Sequence, residues 1–322
     1  MLIYLLFAAG FALLILGAGW LVDGAASLAG RYRIPNIVIG LTIVALGTSS
    51  PELVVNLVAS FQGEADVAMG NILGSNISNI LLILGLSAMI YPLAVNSNTQ
   101  WKEVPLALLA AAIIGVVAND SFFDNPGIPS MIYRSDGIVL IAFFILFMYY
   151  AFGIARLDET HPSVQVRQLP LWISLLMIPA GITALVVGGK WIVDGAIHVA
   201  TMLGMSEATI SLTIVAVGTS LPELATCLAA AYRKNPGIVI GNIIGSNIFN
   251  VFFVLGISAV IRPLPFNPEM NFDIWTGILS SMLLFVFLMF PRRKVLERWQ
   301  GGVLFLLYLL YLGLLLHGEG IF

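Results

Sequence analysis

Apolar residues run along this chain in long stretches that ignore the period-2 alternation of a half-buried strand, with polar residues at their ends and in a few internal clusters. Ten such runs are read, at about Leu2–Ala29, Asn36–Ser60, Val67–Ile90, Glu103–Ala118, Gly137–Ala155, Leu169–Ala200, Ala208–Ala231, Gly237–Ile261, Phe272–Phe290 and Gly301–His317. A bilayer core offers the backbone no hydrogen bonds, so a spanning segment must be a helix or part of a closed barrel. Without alternation the runs predict helices. The expected fold is an all-α membrane protein with ten transmembrane helices.

The internal polar clusters come in pairs at a constant offset. Trp20-Leu-Val-Asp23-Gly24 returns as Trp191-Ile-Val-Asp194-Gly195, and Gly47-Thr-Ser-Ser-Pro-Glu52-Leu53 as Gly218-Thr-Ser-Leu-Pro-Glu223-Leu224. Gly70-Asn-Ile-Leu-Gly-Ser-Asn-Ile-Ser-Asn79 returns as Gly241-Asn-Ile-Ile-Gly-Ser-Asn-Ile-Phe-Asn250, so that 191 − 20 = 218 − 47 = 241 − 70 = 171. Ten spans in two copies give five per copy, and an odd number makes the second copy cross the membrane in the opposite sense. The domain expectation is a first inverted repeat over 1–155, a short cytoplasmic linker over 156–168 and a second inverted repeat over 169–322. Such duplicated membrane units, with polar motifs inside apolar stretches, are a common plan of secondary transporters.

Alternate loops divide the cations unevenly. Arg31, Arg33, Lys102, Arg156, Arg167, Arg233, Lys234, Arg292, Arg293, Lys294 and Arg298 fall on one side, and only Arg134 and Arg262 on the other. Basic loops face the cytoplasm, which places both termini on the extracytoplasmic side of the cell (inner) membrane. Several acids, including Glu64, Asp66, Asp120, Asp124 and Asp136, lie in or beside the outer loops, where negative charge gathers cations. The N-terminal run lacks a basic leader and its Trp20/Asp23 end belongs to the repeat, so it is expected to remain in the mature protein.

Composition agrees and narrows the function classes. The chain is 59% hydrophobic and 10% charged with mean hydropathy +1.00, against about 25% charged in soluble domains. A single cysteine, Cys227, forms no disulfide framework, and His161, His198 and His317 are too scattered for a soft-metal cluster. No phosphate cradle of the Gly-x-x-x-x-Gly-Lys-Ser/Thr kind is present and no loop has room for a nucleotide-hydrolysing domain. An ion gradient or the membrane potential is therefore the expected driving force. Neither a cofactor, nor nucleic acid, nor an obligate protein partner is expected; the partners are the lipid bilayer and the transported ions.

The chemistry concentrates in the two duplicated motifs. Glu52 and Glu223 fall near the middle of the second and seventh runs, where an ionisable side chain costs about 2.5–3.5 kcal/mol on insertion scales. Each follows a proline, Pro51 or Pro222, which removes an intrahelical bond and crowds the carbonyl four residues back, at roughly 3 kcal/mol in a helix interior. The break loosens the carbonyls of Ala45 to Thr48, beside the hydroxyls of Thr48 and Ser49; Ala216, Gly218, Thr219 and Ser220 repeat the pattern. Carboxylates, hydroxyls and free carbonyls are hard oxygen donors suited to Ca2+ or Na+. On the following span of each copy Asn71, Ser75 and Asn79, and likewise Asn242, Ser246 and Asn250, recur every four residues along one helix stripe. Ser75, Asn79, Ser246 and Asn250 are expected to supply further oxygens, whereas Asn71 and Asn242 serve equally well as a helix–helix seam. Lys190 and Asp194 are four apart and are expected to pair along the sixth span.

These motifs resemble those of the cation/Ca2+ antiporter superfamily, most closely its prokaryotic sodium/calcium exchanger branch, and the likeness extends over nearly the whole chain. The resemblance implies ten helices in two inverted five-helix halves, with the broken second, third, seventh and eighth helices enclosing the ions. It implies Glu52 and Glu223 as shared carboxylate ligands, with the carbonyls of Thr48 and Thr219 completing a Ca2+ site. The carbonyl of Ala45 with Ser49 and Ser246 would form one Na+ site, Ala216 with Ser220 and Ser75 its symmetry mate, and Asn79 and Asn250 would line the centre. The long first and sixth helices would slide against the rest to alternate access. Family members that also require K+ often carry Asp where Asn250 stands, which argues against K+ coupling, and Ser50 replaces the more usual Leu that Leu221 retains. The expected function is a Na+/Ca2+ antiporter that exports Ca2+; an H+/Ca2+ antiporter and a Ca2+-permeable channel are the alternatives.

Overall fold

A computed structural model of the chain describes residues 2–97, 99–123, 129–157, 168–202, 216–289 and 294–318. It is built of helices α1 (Leu2–Tyr32), α2 (Asn36–Thr48), α3 (Ser50–Gln62), α4 (Ala65–Ile90), α5 (Thr99–Val117), α6 (Arg134–Leu157) and α7 (Leu171–Met202). There follow α8 (Ala216–Thr219), α9 (Leu221–Tyr232), α10 (Pro236–Ile261), α11 (Asn271–Met289) and α12 (Arg298–Gly318). Among the described residues eight helices are long and apolar enough to cross a membrane, and nine spans result if α2 and α3, bent by 47°, are one. The first part of the expected run Ala208–Ala231, up to 215, lies outside the described residues, as does most of the linker, 158–167.

Several helices begin before their apolar run does, because polar residues cap them. Asn96 Oδ1 accepts the Thr99 N–H at 2.7 Å ahead of α5, and Asp136 Oδ2 accepts the Tyr133 N–H at 2.8 Å ahead of α6. Gln300 reaches back to the Glu297 N–H at 2.7 Å ahead of α12. These bonds satisfy first-turn donors with side chains that hydropathy alone assigns to loops.

The long helices α1 and α7 lie antiparallel along a seam of heptad-spaced glycines. A Cβ placed on Gly10 would lie 2.8 Å from the Gly188 carbonyl oxygen, and one on Gly17 2.9 Å from that of Gly181. The reverse approaches, Gly188 to Gly10 and Gly181 to Gly17, are both 2.8 Å. Between apolar helices in lipid such backbone proximity is the main source of packing attraction.

Elsewhere, too, helices of the first half pack on helices of the second. Gly241 and Gly245 of α10 press against Gly40, Leu41 and Ala45 of α2; Gly301 of α12 meets Gly85 of α4; and Gly137 of α6 meets Gly256 of α10. Two short antiparallel ladders join the halves again, Leu93–Ala94 with Val295–Leu296 and Met131–Ile132 with Leu264–Pro265. The most enclosed spans are α10 and α4, with 94% and 78% of their apolar windows buried. They form the centre against which the broken helices are held.

Candidate functional site

The prolines do in the structure what the sequence predicts. α2 stops at Thr48 and α3 starts at Ser50 with Pro51 in its first turn; the hinge residue Ser49 has φ −83° and ψ 9°. Its counterpart Ser220, between α8 and α9 with Pro222 next in line, has φ −85° and ψ 5°. Both hinges thus adopt the same non-helical geometry, and each places a glutamate in the first turn of the following helix, where the positive end of the dipole favours a carboxylate. Pro51 leaves the Gly47 carbonyl without its usual backbone donor, and the Ser50 hydroxyl fills the vacancy at 2.7 Å. Leu221 has no hydroxyl with which to do the same.

Glu52 and Glu223 are each 1% exposed, and each is held by the hinge serine of the other half. Ser49 Oγ lies 2.8 Å from Glu223 Oε1 and 2.8 Å from Ser246 Oγ. Ser220 Oγ lies 3.4 Å from Glu52 Oε1 and 3.3 Å from Ser75 Oγ, which is itself 3.5 Å from Glu52 Oε1. The two clusters therefore match by repeat position: one hinge serine, one α4 or α10 serine, and the opposite half's carboxylate. All four serines are buried.

Asn79 and Asn250 sit where α4 and α10 widen into π-helical turns, over Asn79–Leu84 and Phe249–Leu255. Asn79 Nδ2 donates to Asn247 Oδ1 at 2.9 Å and Asn250 Nδ2 to Asn76 Oδ1 at 3.1 Å. Asn76 and Asn247 close the figure by donating to each other's backbone carbonyls, at 3.4 and 3.3 Å. With every amide nitrogen turned towards the opposite helix, the Oδ1 atoms of Asn79 and Asn250 have no hydrogen-bond partner. Neither do Glu52 Oε2 and Glu223 Oε2. Buried acceptors are normally paired, since leaving one bare costs roughly 1–3 kcal/mol. Here four are bare, in two repeat-related pairs. Among the described residues no Lys, Arg or His is buried to answer the carboxylates.

The remaining expected residues divide. Thr48 Oγ1 is 3.1 Å from Asn242 Oδ1 and 3.4 Å from the Ala45 carbonyl, and Thr219 Oγ1 is 3.3 Å from Asn71 Oδ1, so both threonines stand at the hinges with their hydroxyls engaged. Ala45 lies at the end of the π-helical turn Gly40–Val44, where its carbonyl accepts the Ser49 N–H at 2.9 Å. Ala216 opens α8. Asn71 and Asn242 act as seam residues: Asn71 Nδ2 donates to Asn56 Oδ1 and to the Glu52 carbonyl, and Asn242 Nδ2 donates to Cys227 Sγ. Among the described residues no ion pair joins Lys190 to Asp194. Asp23, the repeat mate of Asp194, is instead gripped by Arg233, with Nε to Oδ1 at 2.7 Å and Nη2 to Oδ2 at 3.1 Å.

The cross-linking pair Asn76 and Asn247 escapes the sequence reading. Both stand inside the duplicated motif, but the four-residue stripe of Asn71, Ser75 and Asn79 draws attention to the neighbouring face. The available signal was duplication alone: an asparagine retained in both copies within an otherwise apolar helix.

The oxygen atoms left without hydrogen-bond partners are hard donors, of the kind that suits hard cations. The family model for the sodium/calcium exchanger protein matches residues 2–153 and 173–317. Inner membrane protein YrbG of Escherichia coli strain K12 is 36% identical over 316 residues, covering 94% of each chain. Sodium/calcium exchanger MaX1 of Methanosarcina acetivorans is 28% identical over 348 residues, covering 98% of each. A structure of the sodium-calcium exchanger NCX_Mj, soaked with 2.5 mM Na+ and 10 mM Sr2+, aligns with TM-score 0.83 and 34% identity over 97% of this chain and 98% of that one. Multi-pass, helical and matched from end to end, this chain belongs to the sodium/calcium exchanger protein family, whose members are transporters and not enzymes.

Proposed function

We propose that the protein is a Na+/Ca2+ antiporter of the inner membrane that exports Ca2+ by alternating access. The observation that carries this reading is the set of four bare acceptors, Glu52 Oε2, Glu223 Oε2, Asn79 Oδ1 and Asn250 Oδ1, with no buried protein cation opposite them among the described residues. Two carboxylates carry two negative charges, which one Ca2+ or two Na+ neutralise. The two cargoes compete for overlapping oxygens around the shared carboxylates, and that competition is the basis of exchange.

On this reading Glu52 and Glu223, with the carbonyls of Thr48 and Thr219, hold Ca2+. Ser49, Ser246 and the Ala45 carbonyl hold one Na+, while Ser220, Ser75 and the Ala216 carbonyl hold another. Asn79 and Asn250 present their Oδ1 atoms to the centre. Ten helices in two inverted halves, 1–155 and 169–322 joined by the 156–168 linker, with both termini on the extracytoplasmic side, complete the arrangement. The crossed bonds of Ser49 and Ser220 to the other half's glutamate support it. So does the likeness to MaX1 and NCX_Mj.

Flux in proteoliposomes tests the coupling. With Na+ loaded inside, external 45Ca2+ is expected to accumulate; with Na+ replaced by choline at constant pH, uptake is expected to stall. Uptake driven by a pH gradient without Na+ would make it an H+/Ca2+ antiporter, and uptake that continues with no counter-ion would make it a channel. A related prediction concerns Asn250→Asp, which turns one of the bare acceptors into part of a carboxylate. It is expected to change the ratio of Ca2+ to Na+ half-saturation about tenfold or more, as a third negative charge favours divalent over monovalent occupancy. An unchanged ratio would place Asn250 outside the ion-binding shell.

A further inference from the structure

The α1–α7 pair carries one aspartate near each membrane face, and the two differ in what answers them. Asp23 lies close to the end of α1, at the face of the turns after Tyr32 and Tyr232, and Arg233 grips it through two nitrogens. Position 19, one turn earlier, is glycine; a Cβ there would lie 3.1 Å from Arg233 Nη2, so the guanidinium occupies the place of a side chain. Because α7 runs antiparallel to α1, Gly10 meeting Gly188 and Gly17 meeting Gly181, its repeat-related positions lie towards the opposite face. There Asp194 matches Asp23, Gln62 stands where Arg233 would, and Lys190 stands where Gly19 would. Each face thus has one cation beside one aspartate, supplied by α9 on the first face and by α7 itself on the second.

The pairing differs. Arg233 is neutralised, whereas Lys190 is exposed, without an ion-pair or hydrogen-bond partner among the described residues. It opens onto a cleft of about 350 Å³ between α7, the first turns of α3 and the α8–α9 hinge. Its lining includes Ser50, Pro51, Thr219 and Pro222, the immediate neighbours in sequence of Ser49, Ser220 and the two glutamates. Asp194 lines it too, one helical turn along α7 from Lys190. The cleft thus joins one aspartate and one lysine of α7 to the residues that border the two glutamates.

We propose that Lys190 is a selectivity residue of this cleft, which weakens the approach of a divalent cation more than that of a monovalent one. The inference rests on the Na+/Ca2+ reading of the site. Coulomb repulsion scales with the charge of the ion, so whatever factor Lys190 imposes on Na+ it imposes squared on Ca2+. That face would then favour Na+ over Ca2+ and release Ca2+ without prompt rebinding. Near the mouth of a low-dielectric cleft one fixed charge alters monovalent affinity by about threefold, which makes the divalent effect about tenfold.

The experiment is a side-resolved flux assay on oriented membrane vesicles, in which half-saturating Na+ and Ca2+ are measured at each face for the whole chain and for K190Q and K190R. K190Q is expected to lower half-saturating Ca2+ about tenfold and half-saturating Na+ about threefold at the cleft face alone, with K190R unchanged from wild type. Equal shifts for the two ions, no shift, or the same shift at the Arg233 face would overturn the assignment. A wild-type protein that moves Ca2+ without using Na+ would overturn the coupling-ion reading, while the Ca2+ shift in K190Q would still decide the role of Lys190. A wild-type protein inert towards Ca2+ would overturn both.

Discussion

Glu52→Gln, or equally Glu223→Gln, is expected to abolish Ca2+ exchange while the protein still assembles. The amide leaves one negative charge at the centre, so bound Ca2+ would carry an uncompensated positive charge in a buried site, and the new NH2 would turn donors towards a cation. Removing one partner of a buried charge pair costs about 3–5 kcal/mol, more than a hundredfold in affinity. The fold should not suffer, because each carboxylate is held by hydroxyls, through Ser220 for Glu52 and Ser49 for Glu223, and among the described residues no buried protein cation depends on it. 45Ca2+ flux and size-exclusion behaviour measured on the same preparation decide the matter. Near-normal flux from either variant would remove that glutamate from the mechanism.

The second large effect concerns assembly. Gly17→Leu and Gly181→Leu are each expected to lower thermal stability by the equivalent of about 1–3 kcal/mol, the usual cost of forcing bulk into a packed interface. A Cβ at Gly17 would already lie 2.9 Å from a backbone oxygen of α7, and one at Gly181 2.7 Å from the Leu21 nitrogen of α1, so backbone must move. Gly302→Leu on α12 is the control, since nothing lies within 4 Å of a Cβ there. Unfolding in detergent should separate the two sites; equal midpoints would mean that α1 and α7 are not held by this seam.

Much of the site was legible because membrane burial makes polar residues conspicuous. Pro51 with Glu52, repeated as Pro222 with Glu223, announces a broken helix around a carboxylate, and the hinge dihedrals of Ser49 and Ser220 agree within a few degrees. Three features needed coordinates. Asn76 and Asn247 bond across the halves, and no single-helix spacing contains that contact. The glycines at 10, 17 and 24 and at 181, 188 and 195 recur every seven residues, yet which helix they face depends on the antiparallel meeting of α1 with α7. Asp194 and Lys190 suggest an i, i+4 pair on paper, but on the helix both turn to the cleft and stay apart. Helix starts such as Thr99 and Arg298 were misjudged by a few residues because capping chemistry, unlike span length, does not register in hydropathy.

The crossed grip of Ser49 on Glu223 and Ser220 on Glu52 has a consequence for how the molecule can be divided. A fragment ending within 156–168 would contain Glu52 but not the hydroxyl of Ser220, and the complementary fragment would contain Glu223 but not that of Ser49. Neither piece is half a transporter; each is a lock that carries its neighbour's key. A gene encoding one such piece could work only by pairing with a second chain inserted in the opposite orientation, and severed pieces expressed together would have to find one another before either could handle an ion.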